Sequence, residues 1–317
     1  MRAAQIIAPG QIRMQSVPVP EPSTGEVRVR VEGTGVCASN LGQWHGLEFL
    51  RYPQAPALGG HEAWGVVESL GPGVQALQTG ERVAVLSDAA FAEHVVVPEL
   101  FAVPLPAALA HMDVPAEPLG CAVNIFKRSN VSAGQTVLVL GIGFLGALLV
   151  RMAVRCGARV AAASRRRFAL SLAEQFGAEI CVPLGAQEQV QPELERRMGV
   201  GEFDRVIECT GKQAPLELAG ALTAVRGRLI IAGYHQDGAR RVNMQLWNWR
   251  GLDVINAHER EPKAYLDGMR AGVEAVARGE LPLAQLLTHR FRLEHLDRAL
   301  NATAERPDGF MKAVVKP

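Results

Sequence analysis

Long hydrophobic runs are missing from this 317-residue sequence. No stretch approaches the roughly 20 apolar residues that a membrane-spanning helix needs. Met1–Gly10 carries one arginine and only a short apolar run, too little for a secretory leader. An excess of one charge is missing too. Lys plus Arg number 33 against 32 Asp plus Glu, a net charge of +1, so there is no basic surplus for nucleic acid and no acidic tail. Cysteine is sparse. The five are odd in number, scattered and without a CxxC pair, which argues against a disulfide framework and makes a reducing cytoplasm the default compartment. Repeats and low-complexity segments are absent as well. What is present, 48% hydrophobic and 21% charged residues, is the balance of a globular protein long enough for two domains.

The first 110 or so residues read as β-rich. Val27–Val31 alternates apolar and polar, the period of a half-buried strand. Gly65–Leu70 and Arg82–Leu86 read as further strands between Gly- and Pro-rich turns, a pattern of antiparallel, partly barrel-like structure. The character changes near Ser132-Ala133-Gly134. Apolar strands are expected at Thr136–Leu140, Arg159–Ala163, Asp204–Glu208 and Arg228–Ala232, with helices at Phe144–Cys156, Phe168–Phe176 and Ala214–Val225 between them. Such alternation predicts a parallel, doubly wound sheet buried on both faces. Beyond it come helices around Lys263–Arg278 and Leu293–Thr303 and a closing strand at Met311–Val315.

Gly141, Gly143 and Gly146, with Phe144 and Leu145, form a GxGxxG that follows the TVLVL strand directly and opens a helix. In that setting the glycines permit a tight turn, a close approach of backbone to a pyrophosphate, and helix–strand packing. The helix N-terminus then faces the anion. At the end of the second strand an acidic residue usually holds the ribose 2′-hydroxyl. Here Ser164, Arg165, Arg166 and Arg167 stand instead. Guanidinium groups suit a 2′-phosphate that a carboxylate would repel, so NADP(H) is expected over NAD(H); a solvated basic start to the next helix is the other reading. Thr210-Gly211 follows a strand end and is expected to touch the cofactor.

Cys37 lies just after the first strand, His61 and Glu62 follow in Gly60-His61-Glu62, and Glu117 stands in Glu117-Pro118-Leu119. Singly these residues mean little, since a lone Cys is usually a small core residue. In order, GVCASN, GHEAWGVV, TGERVAV, FAEHVVVP, EPLGCAVN and GIGFLG resemble the zinc-containing medium-chain alcohol and polyol dehydrogenases over essentially the whole chain. The resemblance implies an α/β protein with a GroES-like β-barrel catalytic domain (1–118 and 258–317) and a Rossmann domain (119–257), with the active-site zinc between them. It implies Cys37 and His61 as ligands, with Glu62 or Glu117 completing the set. A Cys/His/carboxylate set suits zinc. Ser39 matches the hydroxyl that passes the alcohol proton. The implied reaction is hydride transfer between a small secondary alcohol or polyol, or its ketone, and the nicotinamide, in a homodimer or homotetramer with neither nucleic acid nor membrane as partner.

The chain also departs from that pattern. Asn40 replaces the Asp expected to accept from the histidine ligand, and Gly42 stands where some members carry a relay histidine, with His45 nearby. No cysteines cluster after TGERVAV, so no structural zinc is expected. Gln245–Trp249 reads as a polar, aromatic connection, and His258, Glu259 and Arg260 as substrate-recognition residues, a salt-bridged surface turn or a dimer contact. Two other functions stay open at this point: a zinc-free quinone or enone reductase of the same fold, and a non-catalytic nucleotide-binding protein.

Overall fold

The computed structural model describes residues 1–317, the side chain of Gln187 excepted. The chain forms two compact units, one of Met1–Gly120 with Leu266–Pro317 and the other of Cys121–Tyr265. Along the first stretch run β1 (Arg2–Ala8), β2 (Gln11–Ser16), β3 (Glu26–Val36), α1 (Leu41–His45), β4 (Glu62–Leu70), β5 (Arg82–Val85), β6 (His94–Pro98), β7 (Ala102–Pro104) and α2 (Ala116–Ser129). Next come β8 (Thr136–Leu140), α3 (Phe144–Arg155), β9 (Arg159–Ser164), α4 (Arg167–Gln175), β10 (Ile180–Pro183), α5 (Gln187–Met198), β11 (Phe203–Glu208), α6 (Gln213–Leu222), β12 (Thr223–Ile231), α7 (Met244–Arg250) and β13 (Asp253–Asn256). The chain closes with α8 (Pro262–Ala277), α9 (Leu283–Leu286), β14 (His289–Arg292), α10 (Leu296–Glu305) and β15 (Ala313–Lys316).

The first unit is built on a seven-stranded sheet ordered β14-β15-β3-β4-β5-β7, with β6 paired to β3. Its alternation is the one read from the sequence: Val27, Val29 and Val31 are buried with Val67, Val83 and Val95, while Arg28 and Arg30 turn outward to Glu68 and solvent. The antiparallel pairing of β15 on β3 sets Ala313 opposite Val36. This register delivers Lys312 to the end of β3, beside the residues that follow it.

The second unit is a six-stranded, all-parallel sheet ordered β10-β9-β8-β11-β12-β13. Leu138, Leu140, Ala161, Ala163, Val206 and Leu229 are buried, as expected for strands covered on both faces. Each larger apolar side chain contributes about 1.5–3 kcal/mol by leaving water. The strand order reverses between β8 and β11, so the crevice at their carboxyl ends is the switch point where such sheets bind ligands.

Three readings are corrected. The helix expected at Ala214–Val225 stops at Leu222, because β-branched Thr223 opens β12 by pairing with Phe203. The connection expected at Gln245–Trp249 is helix α7, whose start is capped by Asn243 accepting from the Leu246 N–H at 3.0 Å. The closing strand begins at Ala313 rather than Met311. Among the described residues, no helix is long and apolar enough to cross a membrane.

Candidate active site

Cys37 caps a short 3₁₀ turn, Ala38–Asn40, that ends β3, and this turn also carries Ser39. His61 stands just before β4, whose first residue is Glu62. The ligand-capable atoms of Cys37, His61 and Glu62 all lie within 4.8 Å of one another. Backbone bonds set this geometry. Asn40 Oδ1 accepts from the Cys37 N–H at 3.1 Å, and its Nδ2 donates to the Gly59 carbonyl at 2.8 Å. His61 Nδ1 lies 3.0 Å from that same carbonyl. A carbonyl can only accept, so Nδ1 carries the proton, the neutral ring's tautomer is fixed, and Nε2 keeps its lone pair for a metal. Gly59 has φ +99°, which a side chain would strain, and a Cβ there would lie 2.8 Å from Gln43 Oε1.

Asn40 therefore does not accept from the histidine, as its position in the family pattern implies. It acts one bond further out, through Gly59, and its amide both accepts from Cys37 and donates to Gly59, which a carboxylate cannot do. An aspartate would set carboxylate lone pairs against the carbonyl.

Behind the cluster is a residue the sequence reading missed. Lys312 is buried, its Nζ 2.6 Å and 2.8 Å from the two oxygens of fully buried Glu62. Gly35 makes room for the pair, since a Cβ there would fall 1.9 Å from Glu62 Oε2 and 2.9 Å from Lys312 Cε. The signal was available: Phe310-Met311-Lys312-Ala313-Val314 is a single charge in an apolar run. Burial opposes the charge on Lys312, but Glu62 first, then Cys37 and Glu117, hold its ammonium above the ordinary lysine value.

Glu117, buried in the first turn of α2, is not in the 4.8 Å set. It acts on His61 and Lys312 through its charge. Burial works against a charged His61, yet the Cys37 contact and the charges of Cys37, Glu117 and Glu62 lift it to about 10 in the metal-free chain. A site that draws a proton so strongly fits a cation. With Cys37 as the thiolate that metal binding requires, three negative groups face one lysine, which leaves room for a dication.

In the second unit the three glycines have three different reasons. Gly141 turns at φ +93°, and a Cβ on it would lie 2.4 Å from Thr210 Cγ2. A Cβ on Gly146 would lie 2.2 Å from the Gly141 carbonyl. A Cβ on Gly143 would meet nothing within 4 Å, so the chain's own packing does not demand glycine there, whereas an approaching pyrophosphate does. Phe144 and Leu145 open α3 behind this turn.

At the end of β9, Ser164 is buried and its Oγ accepts from the Arg166 N–H at 3.3 Å. The Arg166 guanidinium donates to the Ile142 carbonyl at 3.1 Å, and Arg165 is exposed. Thr210 is brought against Gly141, and Thr210 and Gly211 donate their N–H groups to Glu208 at 2.6 and 3.0 Å. Glu259 is occupied locally, accepting from the N–H groups of Arg260 and Glu261 at 2.8 and 3.0 Å.

Residues 23–107 match the family model described as alcohol dehydrogenase GroES-like domain, and residues 145–269 the one described as zinc-binding dehydrogenase. An alcohol dehydrogenase of Rhizobium meliloti (strain 1021) is 32% identical over 253 residues, 69% of this chain and 73% of that protein. The chain belongs to the medium-chain alcohol and polyol dehydrogenases. Within this family it is also similar to human sorbitol dehydrogenase, 26% identical over 90% of this chain and 88% of that one. Among solved structures, a zinc-binding dehydrogenase of Sinorhizobium meliloti 1021 bound to NADP superposes with TM-score 0.83 at 26% identity, covering 100% of this chain and 99% of the other. The protein is thus an oxidoreductase with a GroES-like domain and a Rossmann domain for a nicotinamide dinucleotide.

Proposed function

We propose that this dehydrogenase interconverts a secondary alcohol or polyol and its ketone, with zinc at the Cys37–His61–Glu62 cluster and NADP(H) preferred over NAD(H). The observation that carries the reading is the convergence of a thiol, an imidazole and a carboxylate within 4.8 Å, in a chain that also has the dinucleotide turn. When bound, zinc supplies Lewis-acid polarisation of the substrate oxygen and the nicotinamide exchanges the hydride.

The chain's own residues do the rest. Cys37 and His61 Nε2 hold the metal. Glu62 is the third donor by its place in the set, and Glu117 contributes negative charge from further out. Lys312 aims Glu62 by meeting both oxygens of its carboxylate. Ser39, on the same turn as Cys37, orients the alcohol and relays its proton, releasing its own hydroxyl proton as it accepts the alcohol's. On the dinucleotide side, Arg165 offers an exposed guanidinium at the end of β9 to a 2′-phosphate, while Arg166 braces the glycine-rich turn through Ile142. The exposed edge of β13, the last strand of its sheet, and Trp249 nearby at 88% exposure support assembly with a second copy of the chain.

Elemental mass spectrometry of the purified protein tests the metal: about one zinc per chain, lost in Cys37→Ala, is expected. No zinc after refolding with the metal supplied overturns it in favour of a zinc-free reductase of the same fold. Equal kcat/KM for NADH and NADPH overturns the cofactor preference.

A further inference from the structure

At the carboxyl ends of β11 and β12 lies a polar network that the reaction above does not use. Glu208, the last residue of β11, is fully buried. Its carboxylate accepts from the N–H groups of Thr210 and Gly211 and from the Thr210 hydroxyl. It also meets His235 Nε2 at 3.1 Å, from the segment after β12. Arg240 Nε lies 2.8 Å from His235 Nδ1, and another arm of the same guanidinium donates to the Gly211 carbonyl at 2.8 Å. Asp237 pairs with Arg240 and, at 2.7 Å, with Lys212.

The proton positions follow from the partners. Arg240 has donors only, so His235 Nδ1 accepts and the ring's proton sits on Nε2, donating to Glu208. His235 is therefore a two-ended link, acceptor toward arginine and donor toward carboxylate. The Thr210-Gly211 turn is gripped from both sides, its N–H groups by Glu208 and its Gly211 carbonyl by Arg240. That turn abuts Gly141, the first glycine of the dinucleotide turn, and the two flank the switch point between β8 and β11. A buried carboxylate hub is poor value as plain stabilisation, since apolar packing does as well. What it supplies is a single geometry.

We infer that His235 and Arg240 are positioning residues for the dinucleotide, acting through the Thr210-Gly211 turn. The inference rests on the dinucleotide reading and deepens it by naming what holds the cofactor-facing turn in register.

The test is the Kd of NADPH and of NADH for the full-length protein, by titration calorimetry, with the thermal midpoint measured in parallel. His235→Ala weakens cofactor binding about tenfold. His235→Gln, which keeps one donor and one acceptor, restores it to within a few-fold of wild type. His235→Lys pairs with Glu208 and so keeps the fold, but it offers Arg240 no acceptor and binds as poorly as His235→Ala. Arg240→Ala matches His235→Ala, and the double variant is no weaker than either single one, as expected for two residues on one path. Cofactor binding unchanged in His235→Ala, or wild-type binding in His235→Lys, overturns the inference while leaving the dinucleotide reading intact. Failure of the wild type to bind either nucleotide overturns both.

Discussion

The two units build their candidate sites in opposite ways. In the Rossmann unit the candidate site is mostly backbone, and glycines at 141, 143 and 146 set it within one short turn. In the GroES-like unit the corresponding surface is side chains, gathered from the end of β3, the start of β4 and the start of β15, with Asn40 and Gly59 as ties between them. A backbone site is contiguous in sequence and can be read from it directly. A side-chain site is distributed, and its supports are partners that no local spacing announces.

The largest expected effect tests the distributed side. Lys312→Met leaves Glu62 as a buried charge without its cation, and should cost about 3–5 kcal/mol in urea unfolding of the metal-free protein. Lys312→Met with Glu62→Gln should recover most of that loss. An intact midpoint in the single variant would mean that the pair does not hold the unit together.

Gly141→Ala comes next. It forces a side chain into left-handed backbone, at about 1–3 kcal/mol, against Thr210, and the same unfolding measurement reads it. Asn40→Asp should cost less, about 1 kcal/mol for one lost hydrogen bond, and should speed release of zinc to a chelator. If it left both unchanged, Gly59 would not need its second donor.

The smallest effect on stability is the sharpest on the comparison. Gly143→Ala should shift the midpoint by under about 0.5 kcal/mol, because its Cβ meets nothing in the chain, yet weaken dinucleotide binding about tenfold or more. A stability loss equal to that of Gly141→Ala would show that glycine 143 serves the chain rather than the cofactor.

Legibility follows the same division. The β8–turn–α3 unit and the alternation of β3 were readable because each rests on a local period or turn. Cys37, His61 and Glu62 became a set only through the family resemblance, and the structure then placed them together. Lys312 was missed because its partner lies 250 positions away. Glu208 was read only as a strand residue because its bonds run to backbone N–H groups that any sequence supplies. The overrun of α6 into Thr223 arose from an apolar run that serves helix and strand without a break.

That direct passage from α6 into β12 has a consequence for motion. The chain leaves the sheet's carboxyl edge at Gly211, descends through α6, passes directly into β12, which bulges between Thr223 and Arg228, and arrives back at the same edge beside His235. Glu208, His235 and Arg240 tie the mouth of this circuit, so its two ends are not independent. Amide protons along α6 and β12 should therefore exchange with solvent as one cooperative unit rather than fraying from either end, and the tie at the mouth sets how often that unit opens.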